Sequence, residues 1–341
     1  MIPKFNPTHL RELSGILSSP KKIAILPHAK PDGDAMGAAL GMYNYLIQKN
    51  HEVKVISATD YPDFLAWMEG NDRVLIHKDK NQEAAALLKE ADIIFCLDFN
   101  AAGRVEKLEQ DLLNSPAKKV MIDHHLAPEN FCDFTFSFSD ACSTCELIYH
   151  FIAANGDKKY LNKAIAECLY AGIMTDTGSF RFSSMTAAAH RIIAELIEAG
   201  AENAKIHGLI FDNFSEERTR FLGLCLKDKM VVLKEFNTAY ISATKEEMKQ
   251  YHHRTGDAEG IVNYGLEIKG IRFSAFFSER DDIIKISFRS KDDFSVRELA
   301  SKYFEGGGHK NAAGGKSTAS LAETITKFTS LLPLYMEELT K

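Results

Sequence analysis

A doubly wound α/β domain followed by a smaller α/β domain is the fold class that this 341-residue sequence predicts. Apolar runs of strand length alternate with helical patterns through the first half, the rhythm of a parallel sheet covered on both faces. Past residue 230 the pattern turns strand-rich. The chain is also longer than one hydrophobic core usually grows, so two domains are the natural organisation. The expected division is a first domain over 1–212, a highly charged helical connector over 213–230 and a second domain over 231–341.

The elements follow in order. "MIPKFNPTHLRELSGILSS" lacks the apolar stretch of a signal peptide and reads as a capped amphipathic helix. "KKIAILPHA" is a strand candidate, "DAMGAALGMYNYLIQKN" a helix, "HEVKVISA" a strand and "NQEAAALLKEA" a helix. "DIIFCLDF" is again a strand, "RVEKLEQDLLN" a helix and "KKVMIDHH" a strand. Helices are expected in "ACSTCELIYHFIAANG", "LNKAIAECLYAGIMTDTGSF", "TAAAHRIIAELIEAGA" and "NAKIHGLIFDNF", then in the connector "SEERTRFLGLCLKDK". The second domain reads as strands in "MVVLKEFNTAYISAT", "GIRFSAFFSE" and "DIIKISFRSK". A helix "SVRELASKYFE", a loop "GGGHKNAAGG" and a closing helix "SLAETITKFTSLLPLYMEEL" complete it.

Composition narrows the function. A net charge of −6 argues against a protein held on duplex DNA by bulk electrostatics, while leaving room for a local basic patch and a small anionic ligand. No run of about 18 apolar residues suggests a membrane span. The six cysteines are scattered, as expected of reduced thiols, so a cytoplasmic protein without a membrane partner is expected. "CSTC" lacks a second pair and reads as the opening of a helix rather than as a redox or zinc motif.

Ligands of a doubly wound sheet bind beyond the carboxyl ends of its strands, and there this chain places its acids and histidines. His28, Asp32 and Asp34 follow the first strand candidate, Asp98 ends another, and Asp123, His124 and His125 end a third; Asp176 closes a helical stretch. Asp32 and Asp34 alone could be helix caps in a P-D-G-D turn. About five carboxylates brought together would repel one another, so the group makes sense only with cations, or if the sites do not meet. Carboxylate and imidazole donors without thiolate suit Mn²⁺, with Mg²⁺ or Co²⁺ as alternatives, better than structural Zn²⁺. The count fits two ions, the arrangement that activates a nucleophile for in-line displacement at phosphorus.

"HAKPDGDAMG", "LDFNAAGR", "IDHHLAP" and "TDTGSFRF" resemble the four metal-site motifs of the DHH phosphoesterase superfamily, and "GGGHKNAAGG" resembles the glycine-rich signature of the DHHA1 domain. The resemblance spans nearly the whole chain, and in length and domain content the chain is similar to the stand-alone nanoRNase and pAp phosphatase group. It implies that His28 and Asp32 hold one Mn²⁺ and Asp34, His124 and Asp176 the other, with Asp98 bridging. Asp123 would orient a neighbouring histidine, or merely cap a loop, and His125 would face the substrate phosphate. Arg104 would bind that phosphate or lie on a solvated helix face. In the second domain, Arg289, Gly307, Gly308, His309 and Lys310 would grip a nucleotide phosphate, glycines letting backbone N–H groups approach it.

The implied substrates are short single-stranded RNA or DNA, or pAp. Phe180 and Tyr264 are candidates for stacking on a base, with a core role as the plainer reading. A cyclic or linear dinucleotide signal is the alternative substrate, and a catalytically silent nucleotide-binding regulator the alternative from another class. Pyrophosphate is disfavoured because so small a ligand needs no glycine loop. Whether the chain forms a homodimer is left open by its sequence.

Overall fold

The apolar runs of the first half become six strands: β1 (Lys22–Pro27), β2 (Glu52–Ser57), β3 (Leu75–Ile76), β4 (Ile93–Leu97), β5 (Lys118–Asp123) and β6 (Phe134–Ser137). They belong to a computed structural model that describes residues 3, 5–78, 80–254 and 256–341 and divides into two units, 1–213 and 214–341. Every neighbouring pair in the order β3-β2-β1-β4-β5-β6 is parallel. β1, β4 and β5 are buried on both faces, which is why they read as continuous apolar runs rather than alternations. From β1 and β4 the order runs outward in opposite directions, so the crevice beyond their carboxyl ends is the switch point where such sheets hold ligands.

Helix Gly33–Ile47 covers β1 and β2 and packs along helix Lys163–Asp176. Gly33, Gly37 and Gly41 recur every fourth residue on the contact face. A Cβ on Gly37 would stand 2.5 Å from the Cys168 carbonyl oxygen, and one on Gly33 2.3 Å from Thr175 Oγ1. Both are closer than atoms can approach, so glycine lets these backbones meet, and the contact draws the end of one helix towards the start of the other.

The α/β class and its two sheets stand as expected, but several local readings do not. Strands β3 and β6 add to the elements that the sequence predicts. "RVEKLEQDLLN" is not one helix: a 3₁₀ segment Ala102–Leu108, with Glu106 at φ 47°, precedes helix Glu109–Asn114.

"MVVLKEFNTAYISAT", expected to be strand-rich, is a hairpin of β7 (Met230–Leu233) and β8 (Thr238–Ala243), turned at Asn237 in the left-handed region. The sheet continues with β9 (Phe273–Glu279) and β10 (Ile284–Ser290). "GGGHKNAAGG", expected as a loop, is a second hairpin formed by β11 (Gly307–Gly308) and β12 (Ala312–Ser317). The order is β11-β12-β10-β9-β8-β7, antiparallel except for the pair β8 and β9. Phe273, Phe277, Phe288, Phe304 and Phe328 fill this unit's main core. Helix Glu216–Lys227 buries Phe221 and Cys225 among Ile241, Met248 and Phe276 of the same unit. The closing helix stops at Leu331, and a 3₁₀ turn around Pro333 precedes helix Met336–Thr340. Among the described residues, no helix is long and apolar enough to cross a membrane.

Candidate metal centre

Three strand ends and two helices build the site in the first unit. The loop after β1 carries His28 and Asp32; β4 delivers Asp98; β5 ends in Asp123 and runs into His124 and His125. Helix Gly33–Ile47 contributes Asp34 from its first turn, and helix Lys163–Asp176 contributes its last residue.

The structure brings these residues together in overlapping groups. His28, Asp32 and Asp98 present donor atoms within 4.8 Å of one another, and so do Asp34, His124 and Asp176. Asp98 lies between the groups: Oδ2 faces His28 Nε2 at 3.5 Å and Oδ1 faces His124 Nε2 at 3.6 Å. His124 Nε2 also stands 3.8 Å from Asp34 Oδ2 and 3.5 Å from Asp176 Oδ2. Asp98 adopts φ 65°, a left-handed conformation that Asp tolerates and that is commonly stored at functional positions.

Each ligand-type side chain is held by something outside its group. His28 Nδ1–H donates to the Ala29 carbonyl at 2.8 Å, which turns Nε2 towards the acids. Asp32 Oδ1 accepts from the Asp34 and Ala35 N–H groups, both at 3.1 Å, while Oδ2 stands 3.9 Å from His28 Nε2. Helix capping and membership of the group are therefore not rival readings of Asp32; one carboxylate does both. Asp34 accepts from the Thr144 and Cys145 N–H groups at 2.6 and 2.9 Å, at the start of helix Thr144–Ala154, where the helix dipole favours negative charge. The Thr144 hydroxyl donates to Asp98 Oδ1 at 2.7 Å.

Asp123 is fully buried and accepts from His125 Nδ1–H at 2.7 Å, so the histidine it orients is His125 rather than His124. Its Oδ2 is buried without a hydrogen-bond partner. Arg104 has an exposed side chain, and its carbonyl accepts from Ala29 N–H at 2.8 Å. Its charge lies near enough to oppose protonation of His28.

Crowding of charge shows in the titration of the group. Burial, with the charges of Asp98 and Asp176, holds the Asp34 carboxyl well above the usual carboxylate range. Burial likewise lifts Asp176 to about 6, with Asp32 and Asp98 adding to it against the pull of His124. Burial also pushes Asp98 up, but the hydrogen bond from His28 and the charges of His125, His124 and His28 outweigh it and hold Asp98 below its ordinary value. Burial opposes protonation of His124, yet Asp176, Asp98, Asp34 and Asp123 overcome it and raise the imidazole to about 9. Protons are thus retained where positive charge is wanted.

These residues fit divalent cations. The donors are carboxylate oxygens and imidazole nitrogens, and the Asp34 carboxylate is hydrogen-bonded by backbone as an anion although burial disfavours that form. Cysteine does not compete: burial, then the charge of Asp34, keeps the Cys145 thiol protonated, and among the described residues no cysteine joins a metal-competent group. Thr144 and the Gly33-Gly37-Gly41 repeat belong to the site's support and went unread in the sequence.

In the second unit, Arg289 on β10 pairs in register with Ala312 of the glycine hairpin, and Lys310 pairs with Asp293 at 2.7 Å on the surface. His309 N–H and the Ala312 carbonyl close the turn at 2.8 Å. Gly308, at φ 140°, leaves no space for a Cβ, whereas one on Gly307 would meet nothing within 4 Å. Phe180 is half-buried edge-on against Tyr170.

A parallel sheet with His and Asp gathered at its switch point, followed by a separate mixed sheet with a glycine hairpin, defines a DHH-type phosphoesterase. The chain belongs to the DHH family: the family model for its N-terminal domain matches residues 22–173, and that for the DHHA1 domain matches residues 238–338. The bifunctional oligoribonuclease and PAP phosphatase NrnA of Bacillus subtilis is 28% identical over 89% of this chain and 91% of its own length. The protein of the same name from Mycoplasma genitalium is 30% identical over 86% of this chain and 87% of its own. Among solved structures, an exopolyphosphatase-related protein from Bacteroides fragilis superposes with a TM-score of 0.95 at 39% identity, each chain covered completely.

Proposed function

We propose that the protein is a metal-dependent phosphoesterase that hydrolyses short oligonucleotides to mononucleotides, removes the 3′-phosphate of pAp, or does both. The observation that carries the reading is Asp98, one buried carboxylate whose two oxygens face histidines of two adjoining groups. His28 and Asp32 would hold one divalent cation and Asp34, His124 and Asp176 a second, with Asp98 shared; Mn²⁺ suits the donors best, with Mg²⁺ or Co²⁺ as alternatives. Such a pair, when bound, supplies an activated water and positive charge for the phosphate oxygens.

The chain's own groups do the rest. Asp123 fixes the His125 ring by accepting Nδ1–H, and in the imidazolium form the Nε2–H donates to a phosphate oxygen and passes its proton to the departing ribose oxygen, leaving the neutral ring. Arg104, beside the His28 loop, binds a non-bridging oxygen. Arg289, His309, Lys310 and the backbone at Gly307 and Gly308 hold a further nucleotide phosphate. The names of the B. subtilis and M. genitalium relatives support the substrate class, and nucleotide substrates with reduced thiols suit a cytoplasmic protein.

A hydrolysis panel of pAp, di- to pentanucleotides, cyclic dinucleotides and polyphosphate, each with Mn²⁺ and with EDTA, tests the proposal. Turnover of pAp or linear dinucleotides that EDTA removes is expected. A preference for cyclic dinucleotide or polyphosphate would replace the substrate, and no turnover of any would leave a binding regulator.

A further inference from the structure

The second unit holds an open surface cavity of about 510 Å³ at the carboxyl ends of the parallel pair β8 and β9. Helix Lys245–Gln250 follows β8 directly, and Lys245, Met248 and Lys249 line the cavity at the i, i+3 and i+4 spacing that shares one helix face. His252 and His253 follow that helix, and Arg280 is the first residue past β9.

The charges here are unevenly committed. Both lining acids are engaged by Lys245: Asp281 pairs with its ammonium, and Glu279 Oε2 accepts from its backbone N–H at 3.1 Å. Lys249 and Arg280 make no ion pair or side-chain hydrogen bond with any described residue, although Arg280 is only half-exposed. His253 Nε2 is buried without a hydrogen-bond partner. Burial disfavours the charged form of both Arg280 and His253. A guanidinium withdrawn from water without a carboxylate costs free energy unless an anion completes it.

We propose that Lys249, His252, His253 and Arg280 form a second anion-binding site, for the phosphate group of a nucleotide, separate from the glycine hairpin. The separation follows from the register. Arg289 pairs with Ser274 near the start of β9, whereas Arg280 follows its end, so the two arginines stand roughly 20 Å apart along the strand direction. A tetrahedral oxyanion offers more acceptors than a carboxylate to four donors of this kind, and Arg supplies the planar fork that phosphate accepts bidentately. The volume falls in the range of nucleotide-sized pockets.

Calorimetric titration of the full chain with AMP, with orthophosphate and with a dinucleotide, all in EDTA, tests the site. With the hairpin disabled by Arg289→Gln, AMP is still expected to bind, and adding the double substitution Lys249→Gln/Arg280→Gln to that variant is expected to weaken the remaining binding at least about tenfold. Orthophosphate binding lost in the same variant assigns recognition to the phosphate; a tighter dinucleotide lost likewise makes the site a subsite for a second nucleotide. Circular dichroism melts show that the variant is folded. AMP affinity unchanged when Lys249→Gln/Arg280→Gln is added to Arg289→Gln, or no AMP binding left in Arg289→Gln alone, overturns the proposal.

Discussion

The candidate metal centre of the first unit and the glycine hairpin of the second are built on opposite principles. Asp34, Asp98, Asp123 and His124 are at most 5% exposed, and backbone N–H groups, a threonine hydroxyl or a neighbouring imidazole fixes most of them. Lys310 in the hairpin is half-exposed and paired with a fully exposed Asp293, an arrangement that contributes little free energy. A centre that must hold anions together without water needs support for every charge. If the hairpin meets a phosphate at the surface, as proposed, it needs only backbone shape and a few exposed cations.

The first way to break that contrast is to remove one charge from each region. Asp98→Asn preserves shape but leaves one oxygen in place of two for the flanking imidazoles; hydrolysis of a dinucleotide or pAp should fall on the order of 10³-fold or more. Lys310→Ala should cost only about threefold, in KM, because its charge is already screened by water. Steady-state kinetics of both variants decide it, and comparable losses would erase the distinction.

Protons sharpen the same point. In the metal-free chain Asp176 titrates at about 6 rather than 3.8, so the fold loses stability as pH rises across that interval, and Asp34 acts in the same direction. His124 has the usual sign for a raised histidine: its stabilisation is complete below 6.5 and lost as pH rises through about 9. A bound cation must displace all three protons, so Mn²⁺ affinity should climb by about tenfold per pH unit for each proton still bound. Calorimetry in buffers of different ionisation enthalpy should record proton release. The gain in melting temperature on adding Mn²⁺ should be larger near pH 9 than below pH 6. A pH-independent affinity would mean that these groups are not the ligands.

Thr144 carries the next effect. Its hydroxyl holds Asp98 while its N–H holds Asp34, so Thr144→Val removes one of the two contacts and keeps the other. Metal affinity should drop about 10- to 100-fold, and Thr144→Ser should restore most of it. An unchanged Mn²⁺ titration in the valine variant would make that hydrogen bond incidental.

What the sequence made legible follows from the same contrast. His28, Asp98, Asp123 and His124 could be read because each breaks a continuous apolar run, and a parallel sheet converts run ends into one crevice. Thr144 could not: it lay in a helix start already accounted for by "CSTC", and its importance depends on which strand the folded helix faces. The period-four glycines were in plain view but carry no polar signal, and only the Cys168 carbonyl 2.5 Å from where a Gly37 Cβ would stand explains them. Two residues are too few for β3 to declare itself. β11 and β12 read as loop because glycine and alanine have little preference for strands, their pairing being imposed by β10.

The smallest expected effects separate fold from ligand within the hairpin itself. Gly308→Ala places a Cβ 2.5 Å from the Ala312 carbonyl at φ 140°, and should destabilise the chain by about 1–3 kcal/mol. Gly307→Ala meets no atom within 4 Å and should leave the melting temperature within error. If the backbone at Gly307 approaches a phosphate, the added methyl group stands where the ligand must come, and KM should rise a few-fold, to about threefold, with kcat unchanged. Both quantities unchanged for Gly307→Ala would reduce the hairpin's glycines to servants of its fold, leaving any phosphate recognition at the hairpin to Arg289, His309 and Lys310.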